Sequence, residues 1–151
     1  MEMMHYRRLL LMTVMSFISM YVFMYAMVNT FADVYSSLNQ VYMAGLMTAP
    51  MVIFEVLLMN MMYKNKKFNA LIIGASAIAL IAFFLFIRQQ TAIGDEQFLR
   101  SMIPHHSGAI LMCQRASLHD TKIKNLCATI IASQQQEIDE MNVILRELKE
   151  K

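Results

Sequence analysis

Between positions 102 and 113 the chain carries two thioethers, two imidazoles and a thiol: Met102, His105, His106, Met112 and Cys113. At about 100° per residue on a helix they fall, with Ala109, within an arc of about 120°. A lone His on an apolar helix face is more often structural, and a lone Met more often fills a gap in a core. Adjacent imidazoles after Pro104, with Met before and after them, are a different case. Imidazole suits both oxidation states of copper, whereas thioether and thiolate are soft donors that select Cu(I). Zinc more usually takes several Cys or His in a closed tetrahedral set. The pattern predicts a copper site, with Cu(I) favoured and silver as the alternative soft cation. Met141, on a later helical run, joins the donor set. Pro104 removes one helical N–H and bends a helix, which either re-aims the two imidazoles or is a harmless kink.

These donors need helices to position them. Phe98, Leu99, Met102, Ile103, Ala109, Ile110, Met112 and Cys113 recur at helical spacing, with Asp95 as the expected N-cap. His119-Asp120-Thr121 reads as a turn. A second helix follows, with Ile123, Leu126, Cys127, Ile130, Ile131, Ile138, Met141, Leu145 and Leu148 on its buried side. A short turn makes the two helices antiparallel. With the turn centred near residue 120, positions whose numbers total about 240 face each other. Cys113 then faces Cys127, Met102 lies near Met141, and His105 faces the neighbourhood of Gln135. The two Cys are a disulfide, a copper ligand pair or small core residues. No strand pattern or repeat appears, so the fold class is all-α.

The rest of the chain is apolar. Hydrophobic residues make up 58% of 151 residues, 17 of them Met, and the mean hydropathy is +0.45. Leu9 to Val28 carries no charge, Val41 to Tyr63 carries only Glu55, and Asn69 to Ile87 carries none. About 20 apolar residues span a bilayer. Residues 1–90 are therefore expected to form a three-helix membrane domain, with helices at about 9–28, 41–63 and 69–87, and 91–151 a helical hairpin. The first run is expected to be a retained helix rather than a cleaved signal, because it is long and has only Thr30-Phe31-Ala32 as a weak cleavage site. Arg7, Arg8, Lys64, Lys66 and Lys67 mark the cytoplasmic side. The N-terminus is then cytoplasmic, and 91–151 lies outside the cell. Met1-Glu2-Met3-Met4-His5 reads as a disordered tail of accidental composition.

The membrane helices hold a second pattern. Met43, Met47, Met51, Glu55 and Met59 recur every four residues, and Met20, Met24 and Met27 share a face of the first helix. A carboxylate within a membrane is a functional candidate by default. Such a stripe is a path for Cu(I), or it is packing, with Glu55 bonded to Asn60, a Tyr hydroxyl or a lipid headgroup. Met27 and Met43 end on the same side as the His-Met domain, which raises handoff between the two.

The run Met102-Ile103-Pro104-His105-His106-Ser107-Gly108, within Phe98 to Met112, resembles the signature of the "domain of unknown function 305" family. Asp95, Ile130, Ile131, Gln134, Glu137, Ile138 and Met141 also fit, so the resemblance covers about residues 95–148. It implies a ferritin-like helical domain of the kind that in periplasmic members is associated with copper binding and copper tolerance. It also implies Met102, His105, His106, Met112 and Met141 as metal positions, and with the three membrane runs the expected location is the bacterial inner membrane. Two features depart from the family. Cys113 stands where a small residue is usual, and many members carry two hairpins rather than one. A single hairpin is expected to pair with a second copy in a four-helix bundle.

The expected function is a membrane-anchored copper-binding protein of the cell envelope. It would contribute to copper or silver tolerance by sequestration or by handoff to a copper-exporting or copper-chaperone partner. A copper transporter, or a structural partner of another membrane protein, are the alternatives. The net charge of +2 is too small for a nucleic-acid partner. Di-iron sites need paired Glu-x-x-His motifs, which are missing, and no nucleophile triad or phosphate loop is visible. An enzyme is not expected, a cuprous oxidase being the weak exception.

Overall fold

In a computed structural model describing residues 2–150, those residues form five α-helices, with no strand among them. They are α1 (Glu2–Phe23), α2 (Leu38–Leu58), α3 (Lys66–Gln89), α4 (Asp95–Arg115) and α5 (Thr121–Lys149). Two 3₁₀ turns, Met24–Met27 and Phe31–Asp33, lie between α1 and α2. Three segments are long and apolar enough to cross a membrane: Met3–Met27, Leu38–Leu58 and Lys66–Gln89.

Several boundaries differ from the hydropathy reading. α1 begins at Glu2, so Met3, Met4 and His5 are helical rather than a loose tail. A charged first turn is invisible to an apolar window but costs a helix nothing when it lies beyond the hydrocarbon. The α-helical part stops at Phe23, and the expected last turn tightens into 3₁₀. α2 ends at Leu58, five residues before the expected Tyr63. Met59 to Met62 instead form turns that lead to Asn65, whose side chain accepts from the Phe68 N–H and caps α3. Pro50 and Pro104 lie inside continuous helices. Gly94, not Asp95, is the N-cap of α4, and Asp95 opens its first turn. An acidic residue there is favourable against the positive end of the helix dipole.

The chain divides into two compact units. The first holds the residues up to Met24 with Asn39–Thr91. Here α2 carries the buried face, with Tyr42, Ala44, Gly45, Thr48, Ala49, Val52 and Val56. Gly45 is required by its neighbour, because a Cβ there would collide with the Phe83 ring of α3. Close approach through small residues is how apolar helices pack without a hydrophobic drive. Leu9, Val52, Val56 and Tyr63 form the core, and the Tyr6 hydroxyl donates to Asn69 Oδ1 at 2.8 Å.

The second unit joins Tyr25–Leu38 to the chain from Ala92 onward. The α1–α2 connection therefore belongs with α4 and α5, which residue order alone does not suggest. The core of this unit is Leu99, Ile103, Ile110, Ile138 and Leu145, with Tyr35, Ile131, Met141 and Leu148 against it. The Asp120 carboxylate accepts from the Lys122 and Ile123 N–H groups and starts α5. Cys113 and Cys127 form a disulfide with their Cα atoms 5.3 Å apart. Of the three readings of these cysteines, cross-linking is the one realised, so Cys113 offers no thiolate to a metal.

A disulfide closing a loop of this size stabilises by restricting the unfolded chain. Replacing both cysteines by Ser should cost about 3 kcal/mol in the second unit. Denaturant unfolding of the full chain in micelles, followed by the exchange of α4 and α5 amides, measures this. An unchanged midpoint for those amides would contradict it.

Candidate metal centre

The expected donors divide between two sides of α4. His106 is 8% exposed and lies on the side facing α5. Met102 and Met141 are half-buried, and Met141 packs on the core of the second unit. His105 is exposed, and Met112 is 54% exposed. The 120° arc is real, but α5 covers only one edge of it. The structure therefore brings Met102, His106 and Met141 toward one seam and leaves His105 and Met112 outside it.

His106 is fixed at both ring nitrogens. Nδ1 lies 2.9 Å from the Met102 carbonyl, and Nε2 lies 2.7 Å from Glu137 Oε2. A carbonyl only accepts, so Nδ1 carries the hydrogen and donates. Between Nε2 and the carboxylate there is then one shared proton. A backbone carbonyl on one nitrogen is the usual way a ligating imidazole is oriented, with the other nitrogen presented to the metal. Glu137 is not among the expected site residues, because a Glu that follows Gln134, Gln135 and Gln136 looks like part of a solvated edge. The signal was present: His106 and Glu137 obey the same register as Met102 and Met141.

Helical spacing completes the arrangement. Met102 precedes His106 by one turn on α4, and Met141 follows Glu137 by one turn on α5. The contacts of Cys113 with Cys127 and of His106 with Glu137 run in opposite chain directions, so both thioethers fall on the same side of the His106–Glu137 contact. An imidazole nitrogen and two thioethers are a donor set that suits copper, and a cation there would take the place of the proton now shared with Glu137. Among the described residues no group of three His, Cys, Asp or Glu side chains converges. The fit to a metal thus depends on the thioethers.

The neighbouring residues fasten the α1–α2 connection. Ser107 is fully buried. Its Oγ donates to Asp33 Oδ2 at 2.6 Å and accepts from the Asn29 N–H at 2.9 Å. The Thr30 hydroxyl also donates to Asp33. The Tyr35 hydroxyl reaches Asn142 on α5, and the Leu38 N–H donates to Gln97 on α4. Helical spacing carries no sign of these bonds, most of which join groups far apart along the chain.

The membrane donors do not line a common interior. Met43, Met47 and Met59 are 38%, 44% and 41% exposed, and Met51 is half-buried. Glu55 accepts from the Tyr63 hydroxyl at 3.4 Å, the Tyr partner weighed above. Met24 and Met47 do share a place: an open groove of about 700 Å³ along α1, lined also by Met12, Met15 and Met20, with Arg8 at one end. Met27 belongs instead to the second unit.

A family profile described as "Domain of unknown function (DUF305)" matches residues 55–145, from the last turn of α2 to near the end of α5. The match takes in more of the chain than the His-His signature does. A relative from Acanthamoeba polyphaga mimivirus, "Uncharacterized protein L153", is 40% identical over 144 residues, covering 93% of each chain. No solved structure matches.

Ser107→Ala removes the partner shared by Asn29 and Asp33. It should cost about 1–3 kcal/mol and speed amide exchange across residues 25–38, as read by hydrogen-exchange mass spectrometry. Unaltered exchange there would contradict the assignment of Ser107 as the fastening point.

Proposed function

The chain belongs to the DUF305 family, and from that premise we propose that it is a membrane-anchored protein that holds copper as Cu(I) between α4 and α5. The observation that carries this reading is His106. Its Nδ1 is committed to a backbone carbonyl and its Nε2 is turned toward the α5 seam. Met102 and Met141 supply thioethers one turn away. Glu137 covers the imidazole until the metal arrives, and copper when bound is the ion sequestered or passed on. The resemblance to ferritin-like, copper-associated domains points the same way. Silver, with the same softness, is the expected competitor.

The lysines and arginines near the first and third membrane segments support an orientation with the N-terminus cytoplasmic and the antiparallel α4–α5 hairpin on the opposite side. The viral relative gives no support to a bacterial inner membrane in particular. Exposed Phe98, Ile123, Leu126 and Ile144 offer apolar surface for a second copy in a four-helix bundle. Transport is the second reading, and the Met-lined groove along α1 favours it.

Anaerobic Cu(I) titration of the full chain in micelles, against a chromogenic competing chelator, tests the proposal. His106→Ala and the Met102→Leu/Met141→Leu pair should each weaken the tightest step by about a hundredfold. Wild-type affinity in these variants would refute the seam as the site. Copper flux into proteoliposomes that is lost in Met47→Leu would favour transport, whereas flux absent in the wild type excludes it.

A further inference from the structure

The groove along α1 ends on a cation. About 700 Å³ of open space is walled by Met12, Met15, Ser19, Phe23 and, from α2, Met47, with Arg8 at its mouth and no acidic side chain in its lining. Among the described residues the ion pairs join Arg100 to Glu96 and His106 to Glu137, so neither Arg7 nor Arg8 is paired with an acid there. Both are exposed. More positive charge gathers at the same end of the first unit. The Tyr6 hydroxyl donates to Asn69, and the Tyr6 ring stands edge-on to Phe68 with centroids 4.7 Å apart. These contacts bring the start of α1 against the start of α3, where Lys64, Lys66 and Lys67 are exposed. A second groove in the same unit, of about 310 Å³ beside Val14, Gly45 and Phe83, has no cation in its lining.

We propose that the α1 groove holds one anionic phospholipid, with its phosphate on Arg8 and one acyl chain lying along the Met wall. A guanidinium pairs with phosphate through a fork of parallel hydrogen bonds. The lengths agree. From Arg8 to Phe23 the helix rises about 22 Å at about 1.5 Å per residue, and one leaflet with its headgroups is half of a bilayer of about 40–45 Å. Unbranched thioether side chains adapt to a mobile chain. Lipid tails are as apolar as the groove, so its walls give little preference for one lipid over another. The preference comes from the head, where Arg8 and the cations around it favour a net negative charge. The same charge repels Cu(I), so it selects the lipid over a metal ion as the occupant. The inference rests on the reading of the first unit as membrane-spanning and is independent of copper at the seam.

Native mass spectrometry of the full chain, released from micelles that contain phosphatidylglycerol or phosphatidylcholine with the same acyl chains, tests this. The wild type should retain one phosphatidylglycerol more tightly than phosphatidylcholine by about fivefold or more. Arg8→Gln should lower that preference about fivefold, and Arg8→Lys should keep most of it. Arg8 is exposed, so neither change endangers folding. Ser19→Leu fills the groove, leaves Arg8 in place and should remove the bound lipid. Equal retention of the two lipids by the wild type would overturn the site, as would an unchanged preference in Arg8→Gln. A dimer in place of the lipid adduct, lost in Ser19→Leu, would assign the groove to a second copy and overturn the lipid. A chain that stays in the supernatant when membranes are pelleted would overturn the membrane reading and this site with it. Lost selectivity in a chain that does pellet with membranes overturns the site alone.

Discussion

Burying an imidazole between two helices requires a partner for each ring nitrogen, because an unpaired polar group in a core costs about 1–3 kcal/mol. His106 meets that requirement with the Met102 carbonyl of its own helix and the Glu137 carboxylate of the next. This contact fixes the register of α4 on α5, since a shift of one residue would turn the ring away from Glu137. The disulfide pins the same register nearer the turn. Leu99 and Leu145 then meet in the core toward the other end. Stabilising the pair and aiming a donor nitrogen are here the same interaction.

The α1–α2 connection imposes the second constraint. It is long for a link between two helices, it lies between two membrane-length segments, and its backbone amides need partners. Ser107 supplies one of them, and Gly108 supplies the space. The Ser-Gly that follows the two histidines is therefore explained by docking rather than by chemistry of its own. The consequence reaches α4 as a whole: one flank faces α5, another carries the connection, and His105 and Met112 lie at the border of what remains.

Much of this was legible in the residues. The three long apolar runs and the two amphipathic ones set the helix count, and simple pairing about residue 120 placed Cys113 opposite Cys127. The same arithmetic contained Glu137, but an acidic residue in the polar run Gln134-Gln135-Gln136-Glu137, with Asp139 and Glu140 just beyond, carries no chemical mark that separates a seam from a solvated face. Helical spacing counted His105, His106 and Met112 as one arc, yet spacing does not say how wide a strip the neighbouring helix covers. The docking of residues 25–38 was not legible at all. It rests on a backbone N–H at Asn29 meeting a side chain 78 positions later, and no periodicity records such a bond.

The central claim is that His106 presents Nε2 to a soft cation while Nδ1 stays on the Met102 carbonyl. Long-range ¹H–¹⁵N correlation spectra of the full chain in micelles, with and without Ag(I), address it directly. The account predicts that the His106 Nε2 resonance shifts on silver binding and shows coupling to silver, with the Nδ1–H signal retained. Silver binding at saturation with the His106 resonances unmoved would contradict it.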